Sequence, residues 1–251
     1  AVNVSVFFGI CGRLIPTSSA CTSGSLAIGA GYEAIREGKQ TIMVTGGAEE
    51  ISSSQAAVFD TLFATSTRND TPTETPSPFD ADRDGMVIGE GAATLVLEEM
   101  EHAQARGAPI HAEIIGFGTN SDGQHVTQPS ARTMAVAMQL AVDDAELSPA
   151  EIGYVNAHGT ATDRGDVAES QATHATLGAA APISSLKSYF GHTLGACGSI
   201  EAWMTIEMMK RDWFAPTINL NRIDPECAEL DYIVDDGRSE QVEYVMTNNF
   251  G

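Results

Sequence analysis

Residues 182–210, PISSLKSYFGHTLGACGSIEAWMTIEMMK, run from a short apolar strand through a turn of small residues into an apolar helix. Residues 14–37, LIPTSSACTSGSLAIGAGYEAIRE, follow the same plan. Each stretch sets one reactive side chain, His192 or Cys21, at or near a helix start. In the second, Leu26, Ala30, Ala34 and Ile35 recur at helical spacing, which predicts a helix over 23–37. Residues 198–210 predict a helix with mixed apolar faces, central and buried. Sequence identity between the stretches is slight, but together they hint at an internal duplication.

The remaining pattern alternates in the same way. Strands are predicted at 14–19, 41–46, 92–98, 110–118, 152–157, 182–186, 230–234 and 243–248, with further helices at 132–145 and 166–177. The stretch TSTRNDTPTETPSP, residues 65–78, reads as a surface loop from its Pro and Thr content. Strands alternating with helices imply an α/β protein with its strands sandwiched between helices.

Composition narrows the classes of function. The chain has 251 residues, 43% hydrophobic, enough to bury a substantial core. Its net charge of −21 argues against nucleic acid or an anionic membrane as partner. An acidic partner would need a local basic cluster, for which Arg68 and the Lys210–Arg211 pair are the candidates. Cys11, Cys21, Cys197 and Cys227 form no CxxC pair, which suits a reduced, cytoplasmic protein. No apolar run approaches the ~20 residues that span a bilayer, and the opening AVNVSVFFGICG lacks the basic flank of a signal peptide. The chain starts without Met and stops at NNFG, and reads as a fragment cut at both ends.

Three side chains stand out for chemistry. Cys21, in SSACTSG, precedes a helix whose dipole and free N–H groups favour thiolate, and its own N–H is placed to face an oxyanion. A small buried Cys with no chemistry is the alternative. His158, in VNAHGTATDRGD, projects where a strand ends and a hydroxyl-rich loop begins, the place where open α/β sheets bind ligands; a capped loop histidine is the alternative. His192 lies between Gly191 and Gly195, which permit close approach, and Lys187 lies five residues before it. His102, His111, His125 and His174 have no comparable setting, and His102 and His174 look like solvated helix positions. The histidines lack i,i+4 spacing and the other cysteines do not pair with them, so no metal site is expected. No GxGxxG follows a strand in the dinucleotide manner, and no GxxxxGK[ST] is present. A Cys–His–His set suits thioester or acyl transfer.

The motifs TSSACTSGS, NAHGTATDRGD, KSYFGHTLGACG and NNFG, with residues 66–99, occur in the order and spacing of the β-ketoacyl-[acyl carrier protein] synthases, and the chain resembles their elongating Cys–His–His type over essentially its whole length. The resemblance implies a thiolase-like fold of two pseudo-repeated halves in a layered α-β-α-β-α arrangement, lacking its N-terminal part. Residues 1–108 would be the remainder of the first half, carrying the nucleophile, and 109–251 the second half, carrying both histidines. It implies a homodimer, with the strand near 14–19 pairing across the interface.

The resemblance also assigns roles. Cys21 would take the acyl group from acyl carrier protein, with the N–H groups of Cys21 and Phe250 holding the oxyanion and Phe250 gating the steps. His158 and His192 would stabilise the enolate formed when malonyl carrier protein loses CO2. Lys187 would support the electrostatics, with Glu169 tied to it. Thr160 and Thr162 would bind the phosphopantetheine arm, and Arg68 would lie near the carrier-docking face. No cofactor is implied beyond the phosphopantetheine that arrives on the carrier. A polyketide ketosynthase domain and a non-catalytic chain-length subunit are the alternatives, though the latter loses the nucleophile that is retained here. Thiolases need a second catalytic Cys, and initiating synthases carry Asn where His192 stands.

Overall fold

The structure is a computed structural model that describes residues 2–123 and 128–251, so His125 lies outside the described residues. In chain order its elements are α1 (Val2–Phe8), α2 (Ser23–Arg36), β1 (Ile42–Glu49), α3 (Ser53–Thr61), β2 (Gly91–Glu98), α4 (Met100–Ala105), α5 (Ala131–Asp144), β3 (Ile152–Asn156), α6 (Asp163–Leu177), β4 (Pro182–Ser184), α7 (Lys187–Phe190), α8 (Cys197–Met209), β5 (Trp213–Phe214), β6 (Asp231–Tyr232), β7 (Arg238–Ser239) and β8 (Tyr244–Thr247).

A parallel sheet in the order β6-β4-β3-β8 organises the second half. Apolar residues on both faces of β3 explain why it lies inside. Val155 points into a cluster with Met134, Met138 and Val142 of α5 and Ala168 and Ala172 of α6. Tyr154 points the other way, into a cluster with Met208 of α8, and its ring stacks on Phe214 at 4.2 Å. A parallel sheet covered on both faces is the arrangement that such apolar strands require. Each side chain fully buried here, such as Ile183 or Met138, stabilises the fold by about 1.5–3 kcal/mol.

Helices α8 and α2 form the next layer, and the antiparallel pair β1–β2 lies beyond them, giving an α-β-α-β order. Small residues make the α2–α8 crossing tight: a Cβ on Gly198 would sit 2.3 Å from Ser25 Oγ and 2.5 Å from Ser25 N. That approach brings the starts of both helices, and so Cys21 and His192, to one place. The other face of β1–β2 leaves Ile42, Val44 and Val96 exposed, where a five-layered body would set helices.

The four predicted helices and the central strands fall where the sequence predicts them, and α1, α3, α4 and α7 come in addition, but four expectations need correction. Residues 14–19 join no ladder; among the described residues they contribute one isolated bridge, Ser19 to Cys21. Residues 110–118 form no strand either. Both segments have strand-like composition but no neighbouring strand to pair with among the described residues. The 65–78 segment is only partly a surface loop: residues 76–78 are buried, and Phe79, which follows them, is wholly enclosed beside Tyr232. Finally, α8 is buried along one face through Glu201, Thr205 and Met208, while Trp203 stands 52% exposed on the other.

The turn before His192 depends on Gly191. Its φ of +72° lies in the left-handed region, and a Cβ there would come 2.6 Å from the Val87 carbonyl oxygen. The Gly191→Ala substitution is therefore expected to lower stability by about 1–3 kcal/mol. Thermal unfolding should show a midpoint several degrees lower; an unchanged midpoint would mean that this turn does not fix the backbone at His192.

Candidate active site

The site lies beyond the carboxyl ends of three parallel strands, where open α/β sheets gather ligand-binding groups. The chain leaving β3 carries His158, the chain leaving β4 carries Lys187 and His192, and the chain leaving β8 carries Asn249 and Phe250. From the other half, Cys21 arrives two residues before α2. The backbone of His192 is pinned to the Gly-rich segment before β2: its N–H donates to Val87 O at 2.7 Å, and its carbonyl accepts from Gly89 N at 2.9 Å.

Backbone strain clusters here. Ala20, Ala161 and Leu194, each next to or within a few residues of Cys21, His158 or His192, have φ of 44°, 64° and 45°. Such left-handed conformations cost non-glycine residues about 1–3 kcal/mol each and collect at functional sites. Two buried carboxylates of α6 hold the strained 158–161 loop. Glu169 accepts the N–H groups of His158 and Gly159, each at 2.7 Å, and Asp166 accepts those of Ala161 at 3.1 Å and Phe79 at 2.7 Å. Burial pushes the Glu169 carboxyl up to about 8 and that of Asp166 to about 6, against the pull of these N–H groups. Arg83, itself buried, clamps the same loop through Thr162 O and Asp163 O and pairs with Asp224 at 2.6 Å.

Ligand atoms of Cys21, His158 and His192 lie within 4.8 Å of one another, and all three residues are buried. The imidazole rings of the two histidines meet edge to face at 5.1 Å. Burial, reinforced by the Lys187 ammonium, holds both histidines well below the usual imidazole range, so both are neutral near pH 7. Their tautomers follow from their neighbours. The Leu194 N–H donates to His192 Nδ1 at 3.2 Å, which leaves the proton on Nε2, and that N–H donates to Cys21 Sγ at 2.9 Å. The Asn249 amide nitrogen faces His158 Nδ1 at 3.4 Å.

These tautomers decide what the cluster can do. A thiol and two imidazoles at this spacing could hold zinc, but a ligating histidine offers a bare nitrogen to the metal and donates its other N–H outward. Here both outer nitrogens are met by donors, so the inner ones carry hydrogens. The cluster presents two N–H groups to a developing negative charge.

Lys187 is almost fully buried and pairs with Glu201, Nζ to Oε1 at 2.5 Å. Burial, the largest single influence, drives its ammonium down, but the groups around it, Glu201 first among them, together outweigh burial and Lys187 ends above its ordinary value. The other Glu201 oxygen accepts from Asn249 Nδ2 at 2.7 Å. This corrects the expectation for Glu169: the carboxylate tied to Lys187 is Glu201, and both Glu169 oxygens are spent on the backbone of 158–159. Glu201 and Asn249 were missed because a lone Glu in an apolar helix and an Asn in a terminal loop carry no local signal. In Glu201 the missing cue is burial.

A second correction concerns Cys21. The helix start and the Lys187 charge favour thiolate, but burial dominates and pushes the thiol up to about 11. Cys197 donates its S–H to the Cys21 carbonyl at 3.2 Å. Phe250 stands edge-on to the His158 ring at 6.2 Å, and a Cβ on Gly251 would come 3.0 Å from Cys21 Cβ, so this terminal segment lies against the nucleophile.

The other expected site residues lie less centrally. Thr160 and Thr162 share a hydroxyl–hydroxyl hydrogen bond of 2.9 Å in the loop after His158. Arg68 donates to the Asp82 carbonyl and lies 3.7 Å from Asp84. Lys210 and Arg211 both pair with Glu207, so one carboxylate offsets part of that basic cluster. His102 and His174 are solvated helix positions, as expected.

Comparison with known proteins gives the family and the fold. A family model described as Beta-ketoacyl synthase, N-terminal domain, covers residues 1–103, and one described as Beta-ketoacyl synthase, C-terminal domain, covers 111–221. The chain is 45% identical over 259 residues to 3-oxoacyl-[acyl-carrier-protein] synthase 2 of Vibrio cholerae serotype O1, a match that takes in 100% of this chain and 62% of that protein. It superimposes on the crystal structure of a beta-ketoacyl synthase from Burkholderia phymatum STM815 with a TM-score of 0.99 at 69% identity, over 100% of this chain and 62% of the other. It is also similar to the ketosynthase in a complex with a type II polyketide acyl-carrier protein, bound to the hexaketide (36% identity, TM-score 0.92, 97% of this chain and 61% of that one). The chain thus spans about 62% of the length of the curated relatives first matched.

A thiol held near 11 is a thiolate only in small part at neutral pH. The rate of Cys21 alkylation by iodoacetamide should therefore climb about tenfold per pH unit from about pH 7 to 9. A plateau below about pH 9, followed by mass mapping of the Cys21 peptide, would contradict the dominance of burial.

Proposed function

The chain belongs to the β-ketoacyl synthase family and has its thiolase-like fold, and from that premise we propose that the protein elongates fatty acyl chains by decarboxylative Claisen condensation. The observation that carries this reading is the convergence of Cys21 Sγ with two buried, neutral imidazoles whose inner nitrogens carry hydrogen.

The proposed cycle has two half-reactions. In the first, Cys21 Sγ attacks the thioester carbonyl of an acyl group on acyl carrier protein. The C–S bond to the phosphopantetheine breaks, its thiolate takes up the proton that Cys21 gives up, and an acyl-Cys21 thioester remains. The N–H groups of Cys21 and Phe250 receive the tetrahedral oxyanion. In the second, malonyl carrier protein enters and its C–CO2 bond breaks. The electron pair flows onto the thioester oxygen as an enolate, which the Nε2–H groups of His158 and His192 stabilise in a site closed to water. The enolate carbon then attacks the acyl-Cys21 carbonyl, a C–C bond forms, and Cys21 thiolate leaves and is reprotonated. The products are 3-oxoacyl carrier protein and CO2. Decarboxylation supplies the electron pair, so the cycle calls on no cofactor beyond the phosphopantetheine.

Lys187, fixed by Glu201, sets the charge around these groups. Thr160 and Thr162 are placed in this reading on the phosphopantetheine arm, and Arg68 on the carrier-docking face. The two halves divide at residues 108 and 109. A homodimer fits the exposure of Ile10 and Leu14 beside the segment that precedes the nucleophile. Among the described residues no helix is long and apolar enough to cross a membrane, and a cytoplasmic location is the reading that accords with the four free cysteines. The likeness to a polyketide ketosynthase supports one second reading, condensation of polyketide rather than fatty acyl groups on the same machinery.

Intact-protein mass spectrometry separates these readings. Incubation with medium-chain acyl carrier protein should add one acyl mass to the wild type and none to Cys21→Ser. The His192→Ala variant should keep most of its acylation while malonyl decarboxylation falls about 10²–10³-fold, the cost of one oxyanion donor. Adducts formed only with polyketide acyl groups would favour the second reading. Absence of any adduct on a folded wild type would favour a non-catalytic chain-length subunit.

A further inference from the structure

Asn249 occupies a position that the condensation chemistry does not itself require, yet it touches four parts of the site. Its Oδ1 accepts a hydrogen bond from the Ser25 hydroxyl in α2. Its Nδ2 donates to Glu201 Oε2 at 2.7 Å and faces both His158 Nδ1 and Cys197 Sγ at 3.4 Å. These partners fix which way the amide points. A carboxylate accepts only from nitrogen, and the Ser25 hydroxyl takes up the oxygen, so a flipped amide would set oxygen against carboxylate. One Nδ2 hydrogen goes to Glu201. The second lies between a ring nitrogen and a thiol sulfur, and the nitrogen is the stronger acceptor.

We infer that Asn249 is a positioning residue that sets the tautomer of His158, keeping hydrogen on Nε2 and so making this histidine a donor toward the Cys21 thioester. The backbone N–H of Leu194 does the same for His192, and a backbone group cannot be mutated away. His158 relies on a side chain instead, and that side chain is anchored to the Lys187–Glu201 pair and to α2. The second histidine's protonation pattern is thereby coupled to the buried charge pair and to the helix that carries the nucleophile. This inference rests on the condensing reading for its catalytic consequence but not for its structural one.

The test changes the polarity at His158 Nδ1. In Asn249→Asp, Glu201 draws any carboxyl proton toward itself, and the oxygen facing His158 accepts, so hydrogen moves to Nδ1. In Asn249→Leu, a side chain of similar size, the bias is removed. Protein labelled with ¹⁵N-histidine reports the tautomer directly from the long-range couplings of each ring nitrogen. The wild type should show His158 with hydrogen on Nε2, Asn249→Asp should show it on Nδ1, and Asn249→Leu should show a mixture. Malonyl decarboxylation should fall about 10²–10³-fold in Asn249→Asp, while acylation of Cys21 changes only a few-fold. If Asn249→Asp does not fold, Asn249→Leu carries the test alone. An unaltered Nε2–H tautomer in either folded variant would overturn the inference, whatever the activity. Failure of the wild type to acylate would instead count against the condensing reading and leave the tautomer result standing by itself.

Discussion

The buried pair of Lys187 and Glu201 is the constraint on which the site depends. Two charges in a dry interior persist only when each has the other and further hydrogen bonds besides. Glu201 has the ammonium on one oxygen and Asn249 on the other. The ammonium so retained acts on everything nearby: it pushes His158 and His192 toward neutrality and pulls Cys21 toward thiolate. Removing one partner of such a pair typically costs about 3–5 kcal/mol because the other is left uncompensated. Retention of an expensive pair beside a nucleophile fits an electrostatic role better than a stabilising one.

The architecture serves the same end. Parallel strands deliver His158, His192 and the Asn249–Phe250 segment from separate stretches of sequence to one edge of the sheet. The tight α2–α8 crossing brings Cys21 to meet them. Glu169, Asp166 and Arg83 do not act on substrate in this account; they hold a strained loop in the shape that aims His158 inward.

Much of this was legible in the sequence. Small-residue turns between an apolar strand and a helix marked Cys21 and His192, and a hydroxyl-rich loop after a strand marked His158. Those signals are local, because they report backbone geometry. Glu201 was invisible for the opposite reason. It lies fourteen residues after Lys187, and only the packing of α8 beneath the sheet buries it. Glu169 was misassigned on the same grounds: sequence distance could not show that its oxygens would go to backbone N–H groups. The helix start before Cys21 correctly suggested a pull toward thiolate, but the depth of burial that reverses it is a property of the folded chain. Residues 14–19 and 110–118 have the composition of strands, and a strand exists only where another backbone pairs with it.

The claim that both histidines work as neutral N–H donors, held so by burial and by the neighbouring Lys187 ammonium, is tested most directly by a histidine titration. Side-chain shifts of isotopically labelled His158 and His192 would be followed from about pH 8 down to about pH 5.5, across the ordinary imidazole midpoint of about 6.5. The account predicts that neither ring takes up a proton in that range. A midpoint near or above about 6.5 for either ring would contradict it, because an imidazolium there would be a charge beside Lys187 rather than a neutral donor.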